Sequence, residues 1–426
     1  MSDTYNRRVS LNERAFLAMD RLGQPVVNQA VFESPTPVNP MLFKAAVEEA
    51  SSANPGSRLV LKGRLAGCRW IDSGVTPVIR EVDGSQWDGF GPDGAPFLDV
   101  PLDPVTGPTC EIVIANGGQK QPVQRIIFRT HHAVMDGRGT LFWAQDVFRA
   151  IRGLRPIGSH SALTDLEMAR SIQSNTRKPY PAQFLAPTGK AEGTELGVTW
   201  SRVRLRGSFP NLLGQLSVLL AEEARRTGPG PFLYGIPVDM RRHCPDLTST
   251  GNLTYSIYGF VEPEMTAEHI TRDIRRQLAE NREGMLSVED TLLRYIPLDW
   301  IAGSMRRTIR KRHLTGQYSL SAILSNLGRI PLAEYSGGGF KAAEMWAIPP
   351  PAEYYPYFVV LAGYRDILNL TVSVPKVLAT QDRVDRTMRR VVAKLRPDPA
   401  QETAVKQPKT PRKRKKTKVF NGGVNG

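Results

Sequence analysis

The sequence predicts an α/β protein built as two lobes of similar size, each a mixed sheet with flanking helices. Three observations carry this reading. The 426 residues suffice for two domains of ordinary size, and 41% hydrophobic with 23% charged residues is a composition that buries a core. Short β-like runs alternate with helical periodicity in both halves of the chain. Between the halves, residues 155–195 weaken in periodicity and collect Ser, Thr, Pro, Gly and Lys, as a crossover between lobes would. The boundaries drawn on this pattern are a first lobe over 1–160, a crossover over 161–196, a second lobe over 197–397 and a disordered basic tail over 398–426.

In the first lobe, Ala30-Val31-Phe32, Arg58-Leu59-Val60-Leu61, Glu111-Ile112-Val113-Ile114 and Arg125-Ile126-Ile127-Phe128-Arg129 are rich in β-branched and long apolar residues and read as strands. Helical periodicity appears over 42–53 and again over 140–151, where Leu141, Ala144, Phe148 and Ile151 share one stripe. An amphipathic stretch at 165–173 interrupts the crossover. In the second lobe, strands are expected over 198–205, 232–238, 318–324, 357–361 and 368–374. Helices are expected over 209–226, ended by Thr227-Gly228-Pro229-Gly230, and over 267–281, 288–311 and 382–395.

Composition also excludes several classes. The longest apolar stretches, such as 357–363, fall far short of the roughly 20 residues of a membrane-spanning helix. The first residues, MSDTYNRRVSLNERAF, contain no apolar core of a secretory signal, so a cytoplasmic protein is expected. Cys68, Cys110 and Cys244 have neither disulfide-framework nor zinc spacing. The net charge of +15 is concentrated at one end: eight Lys and Arg lie between Lys406 and Lys418 with no acid among them, leaving +7 for the rest. No aromatic-basic platform accompanies the charge, so nucleic acid is disfavoured as a partner. The tail reads as a solubilising charge run, as a nuclear address in a eukaryotic source, or as a contact for an acidic surface, either anionic membrane lipid or an acidic carrier protein.

The segment richest in chemistry is Val123 to Gly139, in which a buried-type strand runs into His131-His132 and turns through Asp136-Gly137 before a helix begins after Gly139. Neighbouring strand residues point to opposite faces, so one imidazole can enter a cavity while the other packs or orients the loop. A neutral imidazole at a strand end is suited to taking a proton from a hydroxyl or amine at pH 7. A backbone N–H at the glycine turn or helix start is placed to stabilise an oxyanion. No Ser or Cys sits in a nucleophile elbow, so direct transfer is more natural than an acyl-enzyme. His132 and Asp136 are four apart, but His160, His243, His269 and His313 are scattered, and no metal is expected.

His131-His132-x-x-x-Asp136-Gly137 resembles the signature of the acyltransferase superfamily that includes chloramphenicol acetyltransferase, the condensation domains of non-ribosomal peptide synthetases, and wax ester synthase-like and polyketide-associated acyltransferases. The segment Leu233 to Arg242, followed by Gly251-Asn252, is similar to the family's strand-plus-arginine segment. Ser325-Asn326-Leu327-Gly328 is similar to the Ser-Asn-x-x-Gly loop of the wax ester synthase-like branch, one residue tighter, and Leu11 to Asp20 resembles the first helix. Together these span residues 11–395. Two departures stand out. The Asp-Phe-Gly-Trp-Gly motif of the plant branch is absent, and Arg138 stands where condensation domains frequently carry a bulky aromatic.

The resemblance implies two chloramphenicol acetyltransferase-like lobes in a V-shaped pseudo-dimer, with donor and acceptor meeting at the second histidine. It implies His132 as general base, Asp136 in an architectural ion pair with Arg241, Gly137 in the catalytic turn, His131 in support, and Ser325 and Asn326 as substrate-lining residues. The expected activity is acyl transfer from acyl-CoA or an acyl or peptidyl carrier protein to an alcohol or amine, with no permanently bound cofactor. A free-standing peptide condensation enzyme joining carrier-bound substrates, and a catalytically silent acyl-carrier or lipid binder, are the alternatives. A monomer is expected.

Overall fold

Two sheets organise the computed structural model, which describes residues 4–118, 122–173, 175–287 and 295–397. The basic run between Lys406 and Lys418, and residues 288–294 of the expected helix over 288–311, lie outside the described residues.

The first sheet has five strands in the order Glu344–Ile348, Val27–Ser34, Gln124–His131, Cys110–Asn116 and Val78–Asp83. All neighbours are antiparallel except the last pair. Strand Gln124–His131 is therefore central, which suits its run of Ile126, Ile127 and Phe128, all fully buried. Helices Pro40–Ala53 and Gly137–Ile151 pack together on one face over Phe32, Phe43, Phe128, Trp143 and Phe148. Asn39 caps the first of these by accepting the N–H groups of Met41 and Leu42, with Pro40 at a position that has no intrahelical donor to lose.

The second sheet has six strands in the order Thr254–Phe260, Leu233–Asp239, Ala322–Arg329, Phe358–Tyr364, Ile367–Pro375 and Val198–Arg206. Its buried layer includes Leu220, Tyr234, Leu324, Leu361, Val372 and Met388, covered by helices Leu212–Arg225 and Arg383–Lys394. Helix Ala267–Ala279 packs alongside the first of them.

One strand crosses between the halves of the sequence. Glu344–Ile348 lies in the second half but pairs along Val27–Ser34, placing Trp346 opposite Val31. Its outer side is clasped by the second sheet: the Arg202 guanidinium lies 4.2 Å from the Trp346 ring centre, and Arg202 and Arg204 reach Glu344 at 3.3 and 3.0 Å. The exchange crosses the boundary drawn at 197, because a short strand carries no mark of which sheet it will join. This strand, Val78–Asp83 and Thr254–Phe260 are absent from the sequence reading.

Two expected elements shift. The expected helix over 288–311 begins, within the described residues, at Leu298 and runs to Thr315. Pro297 restricts the residue before it from helical backbone, and Gly316, left-handed at φ 66°, ends the helix. The strand expected over 318–324 starts at Ala322. Tyr318 instead exchanges both backbone hydrogen bonds with Phe184, at 2.9 Å each, and so pins the crossover segment to the second lobe.

Candidate active site

Strand Gln124–His131 delivers the two histidines to its C-terminal end, with their backbone N–H groups bonded to different neighbours. The His131 N–H donates to the Thr109 carbonyl at 2.8 Å and the His132 N–H to the Val26 carbonyl at 2.9 Å. The His131 side chain is fully buried, and its Nδ1 accepts the Ala133 N–H at 3.1 Å. Its Nε2 lies 3.7 Å from Asp20 Oδ1, too far for a hydrogen bond. That carboxylate accepts the Val26 N–H at 3.0 Å, so Asp20 and His131 together brace the backbone that holds His132.

The His132 ring is only partly exposed. Phe16, from helix Leu11–Asp20, stacks on it with ring centres 4.0 Å apart and planes 10° from parallel. Asn252 Nδ2 donates to the His132 carbonyl at 2.7 Å and stands 3.4 Å from Nδ1. Among the described residues no protein group hydrogen-bonds Nε2. Burial pushes the ring's pKa down to about 4, against the smaller upward pulls of its own main chain and Asp136. His132 is thus neutral at pH 7.

Asp136 makes no hydrogen bond to the His132 ring among the described residues; it joins the lobes. It is the N-cap of helix Gly137–Ile151, accepting the Gly139 N–H at 2.7 Å. Its other oxygen accepts the Leu253 N–H at 2.8 Å and the Thr254 hydroxyl at 2.9 Å. Arg241 closes the set at 3.1 and 3.3 Å. Burial alone would raise this carboxyl, but the guanidinium and the N–H donors outweigh it and hold it below the usual carboxylate range. Arg241 also donates to the carbonyls of Ser249 and Gly251 at 2.9 and 2.6 Å and to Asp239 at 2.7 Å. Its neighbour Arg242 turns the other way, to Glu283 and the Leu278 carbonyl.

The same loop fits against the helix start with no room to spare. A Cβ on Gly139 would lie 2.1 Å from the Thr250 carbonyl oxygen. Gly139→Ala is therefore expected to destabilise the protein by about 1–3 kcal/mol, by pushing the lobes apart at this seam. Urea unfolding of the variant measures it.

Gly137, by contrast, has only the flexible tip of Leu327 within reach of a Cβ, at 3.2 Å. The Gly139 N–H is occupied by Asp136, whereas the first two helical N–H groups, of Gly137 and Arg138, have no partner among the described residues. Ser325 and Asn326 sit on strand Ala322–Arg329. No hydrogen bond among the described residues links them to His132 or Asp136, and Asn326 instead accepts the Gly328 N–H at 2.9 Å within its own turn. Leu327 is the residue of this loop that faces the helix start. Among the described residues, no three His, Cys, Asp or Glu side chains converge in a way that could hold a metal ion.

A cavity of about 270 Å³ lies at the end of helix Leu11–Asp20, between Met19, Leu22 and Gln24 on one side and Leu196, Ala352 and Tyr354 on the other. Met19 packs with Phe16 and Val26, so the cavity begins one helical turn from the ring that covers His132. Phe16 and Asp20 are contributions that the strand-turn motif does not announce. Asn252 was visible as part of Gly251-Asn252, though not its role as a brace on His132.

No protein-family model and no curated protein matches the chain. Solved structures do resemble it. The starter condensation domain of rhizomide synthetase, as a mutant in complex with C8-CoA, is similar with a TM-score of 0.62 and 14% identity over 91% of this chain and 93% of that one. The first condensation domain of the calcium-dependent antibiotic synthetase, in complex with a substrate analogue, gives 0.61 and 14% over 91% and 95%. A four-domain nonribosomal peptide synthetase bound to AMP and glycine gives 0.54 and 14%, over 92% of this chain but 33% of that one. At this identity the likeness is one of fold: the chain has the two-lobed, V-shaped chloramphenicol acetyltransferase-like architecture.

Proposed function

We propose that this protein transfers an acyl group from a thioester to an alcohol or amine, with His132 as general base and no acyl-enzyme. The observation that carries the reading is the placing of His132 between the lobes: its ring stacked on Phe16, its carbonyl held by Asn252 and its Nε2 without a protein partner among the described residues, in a setting that keeps it neutral. Nothing in a purely structural histidine requires that arrangement. As the acceptor attacks the thioester carbonyl, Nε2 takes its proton and a bond forms between acceptor and acyl carbon. The carbon–sulfur bond then breaks, and protonated His132 returns the proton to the departing thiolate. The unpartnered N–H groups at the start of helix Gly137–Ile151 are the candidate donors to the tetrahedral oxyanion. Asp136 and Arg241 act as positioning residues that clamp the turn. The thioester carrier, CoA or a phosphopantetheine arm, enters as substrate.

Thiol release and product mass over a panel of acyl-CoAs with pooled alcohols and amines tests this. Acceptor-dependent release that disappears in His132→Ala supports it. Equal release from both proteins sinks it.

A second reading has a specific observation behind it. The solved structures of like fold are condensation domains, and one rhizomide synthetase structure holds both C8-CoA and Leu-SNAC. If the donors and acceptors here are carrier-bound, CoA thioesters will be silent and acyl carrier proteins will turn over.

The pKa of His132 sets a further expectation. Lowered from 6.5 to about 4, the base stays unprotonated through mildly acidic pH. The acid limb of kcat/KM is therefore expected near pH 4, not near 6.5, and a pH–rate profile checks it. For stability the sign follows from the same shift. The unfolded chain binds this proton more readily, so His132 contributes stability above pH 6.5 that is lost as pH falls toward 4.

A further inference from the structure

We infer that the outer face of helix Leu298–Thr315 is a docking surface for an anionic lipid bilayer. The inference does not depend on the acyl-transfer reading. The helix has two unlike faces. Ile301, Ala302, Met305, Ile309 and Arg312 fall on one side, where Ile301, Ala302 and Met305 pack with Ala18 and Leu22 at helix Leu11–Asp20.

On the opposite side, Trp300, Arg307, Lys311 and Leu314 recur at spacings of seven, four and three and share one stripe, with Arg310 beside it. Trp300 is 74% and Leu314 88% exposed, and the three cations are exposed between them. Arg307, Arg310 and Lys311 make no ion pair or side-chain hydrogen bond among the described residues. The one acid of the helix, Asp299, is off this stripe and paired with Arg21.

Three cations without a partner among the described residues, between two bulky apolar side chains, call for an anionic partner that also accepts an apolar group at each end. Trp300 and Leu314 are about 21 Å apart along the axis. That separation is too great for one apolar hot spot. A bilayer interface meets all three requirements at once: headgroup phosphates for the cations, and interfacial depth for an indole and an isobutyl group. The contact is one of surface, since no helix among the described residues is long and apolar enough to cross a membrane. The opposite face of the same helix bears on the segment that lines the cavity beside Phe16, through Met305 and Leu22. Docking on the outer stripe would thus hold that cavity close to the lipid surface.

The test uses the full chain in a background where the tail cations from Lys406 to Lys418 are changed to Gln, so that the helix is read without the tail. Vesicles of phosphatidylcholine alone are compared with vesicles in which about one third is phosphatidylglycerol. Partition into the anionic vesicles only is expected, with a blue shift of tryptophan emission. Trp300 reports it, because Trp70, Trp87, Trp143 and Trp346 are buried and Trp200 is half-buried. Each surface cation contributes about fivefold, so Arg307→Gln, Arg310→Gln and Lys311→Gln together are expected to weaken partition on the order of a hundredfold. Trp300→Ser should weaken it and abolish the blue shift, with thermal unfolding unchanged.

Absence of partition or of the blue shift in the tail-neutralised chain overturns the inference. So does partition that the helix variants leave unchanged. If those variants instead slow turnover from an acyl carrier protein while vesicle binding is absent, the stripe belongs to an acidic protein and the lipid assignment is wrong.

Discussion

Replacing His132 with alanine is expected to lower kcat/KM for acyl transfer by about 10²–10⁴-fold, the range that a positioned general base supplies. The fold should survive. The ring is partly exposed and at the edge of the core, and its main tertiary contact is the Phe16 stack at 4.0 Å, worth about 1 kcal/mol. Thermal unfolding alongside steady-state rates separates the two effects. Asn252→Ala gives the companion measurement. Its amide holds the His132 carbonyl at 2.7 Å, so its loss should reduce kcat without moving the acid limb of the pH profile far. A His132→Ala enzyme with wild-type turnover would remove this residue from the mechanism.

The second large effect is expected at Arg241. Arg241→Ala leaves Asp136 buried without its counter-ion and frees the carbonyls of Ser249 and Gly251, a loss of about 3–5 kcal/mol for a broken buried pair. The three donors that remain, from Gly139, Leu253 and Thr254, place the expected value toward the lower end. The pH dependence has a definite sign. With Arg241 present, Asp136 is held below its unfolded pKa, so its contribution is present above that value and is lost as pH falls through the folded one. Without Arg241, burial dominates and the carboxyl rises. The variant should therefore be most destabilised near neutral pH, with the gap to wild type narrowing in acid. Urea midpoints across pH, with Asp136→Asn and the double variant, complete the cycle. Strict additivity of the two substitutions would show that the pair does not couple.

Much of the fold is legible along the chain because local patterning determines it. Ile126-Ile127-Phe128 specify a strand buried on both faces wherever it is placed. The helix expected after Gly139 starts two residues earlier, at Gly137, because Asp136 caps it by accepting the Gly139 N–H at 2.7 Å. The misplaced elements differ in cause: Pro297 ahead of the helix at Leu298 is a local signal, whereas Tyr318 is withdrawn from the sheet by Phe184, 134 residues earlier in the chain. The strand Glu344–Ile348 is a different case. Its five residues acquire a partner only when the first lobe presents Val27–Ser34, so no window of sequence could assign it to that sheet.

The site divides in the same way. His131, His132, Asp136 and Gly137 sit within seven residues, and their spacing on a strand-to-helix turn determines that one imidazole is buried and the other offered. What that imidazole can do was decided elsewhere. Phe16 and Asn252 are 116 and 120 residues away along the chain, and they set the ring's orientation. Burial by both lobes sets its protonation state. The choice of Arg241 over Arg242 for the ion pair was likewise invisible in the dipeptide, since it depends on where the Ser249 and Gly251 carbonyls lie. The sequence by itself determined the chemical groups, their local turn and the elements that carry them, because those follow from bonds and short-range packing. Only the tertiary structure decided which ring nitrogen lacks a protein partner, which arginine turns inward and what covers His132, because these are properties of groups brought together from distant parts of the chain.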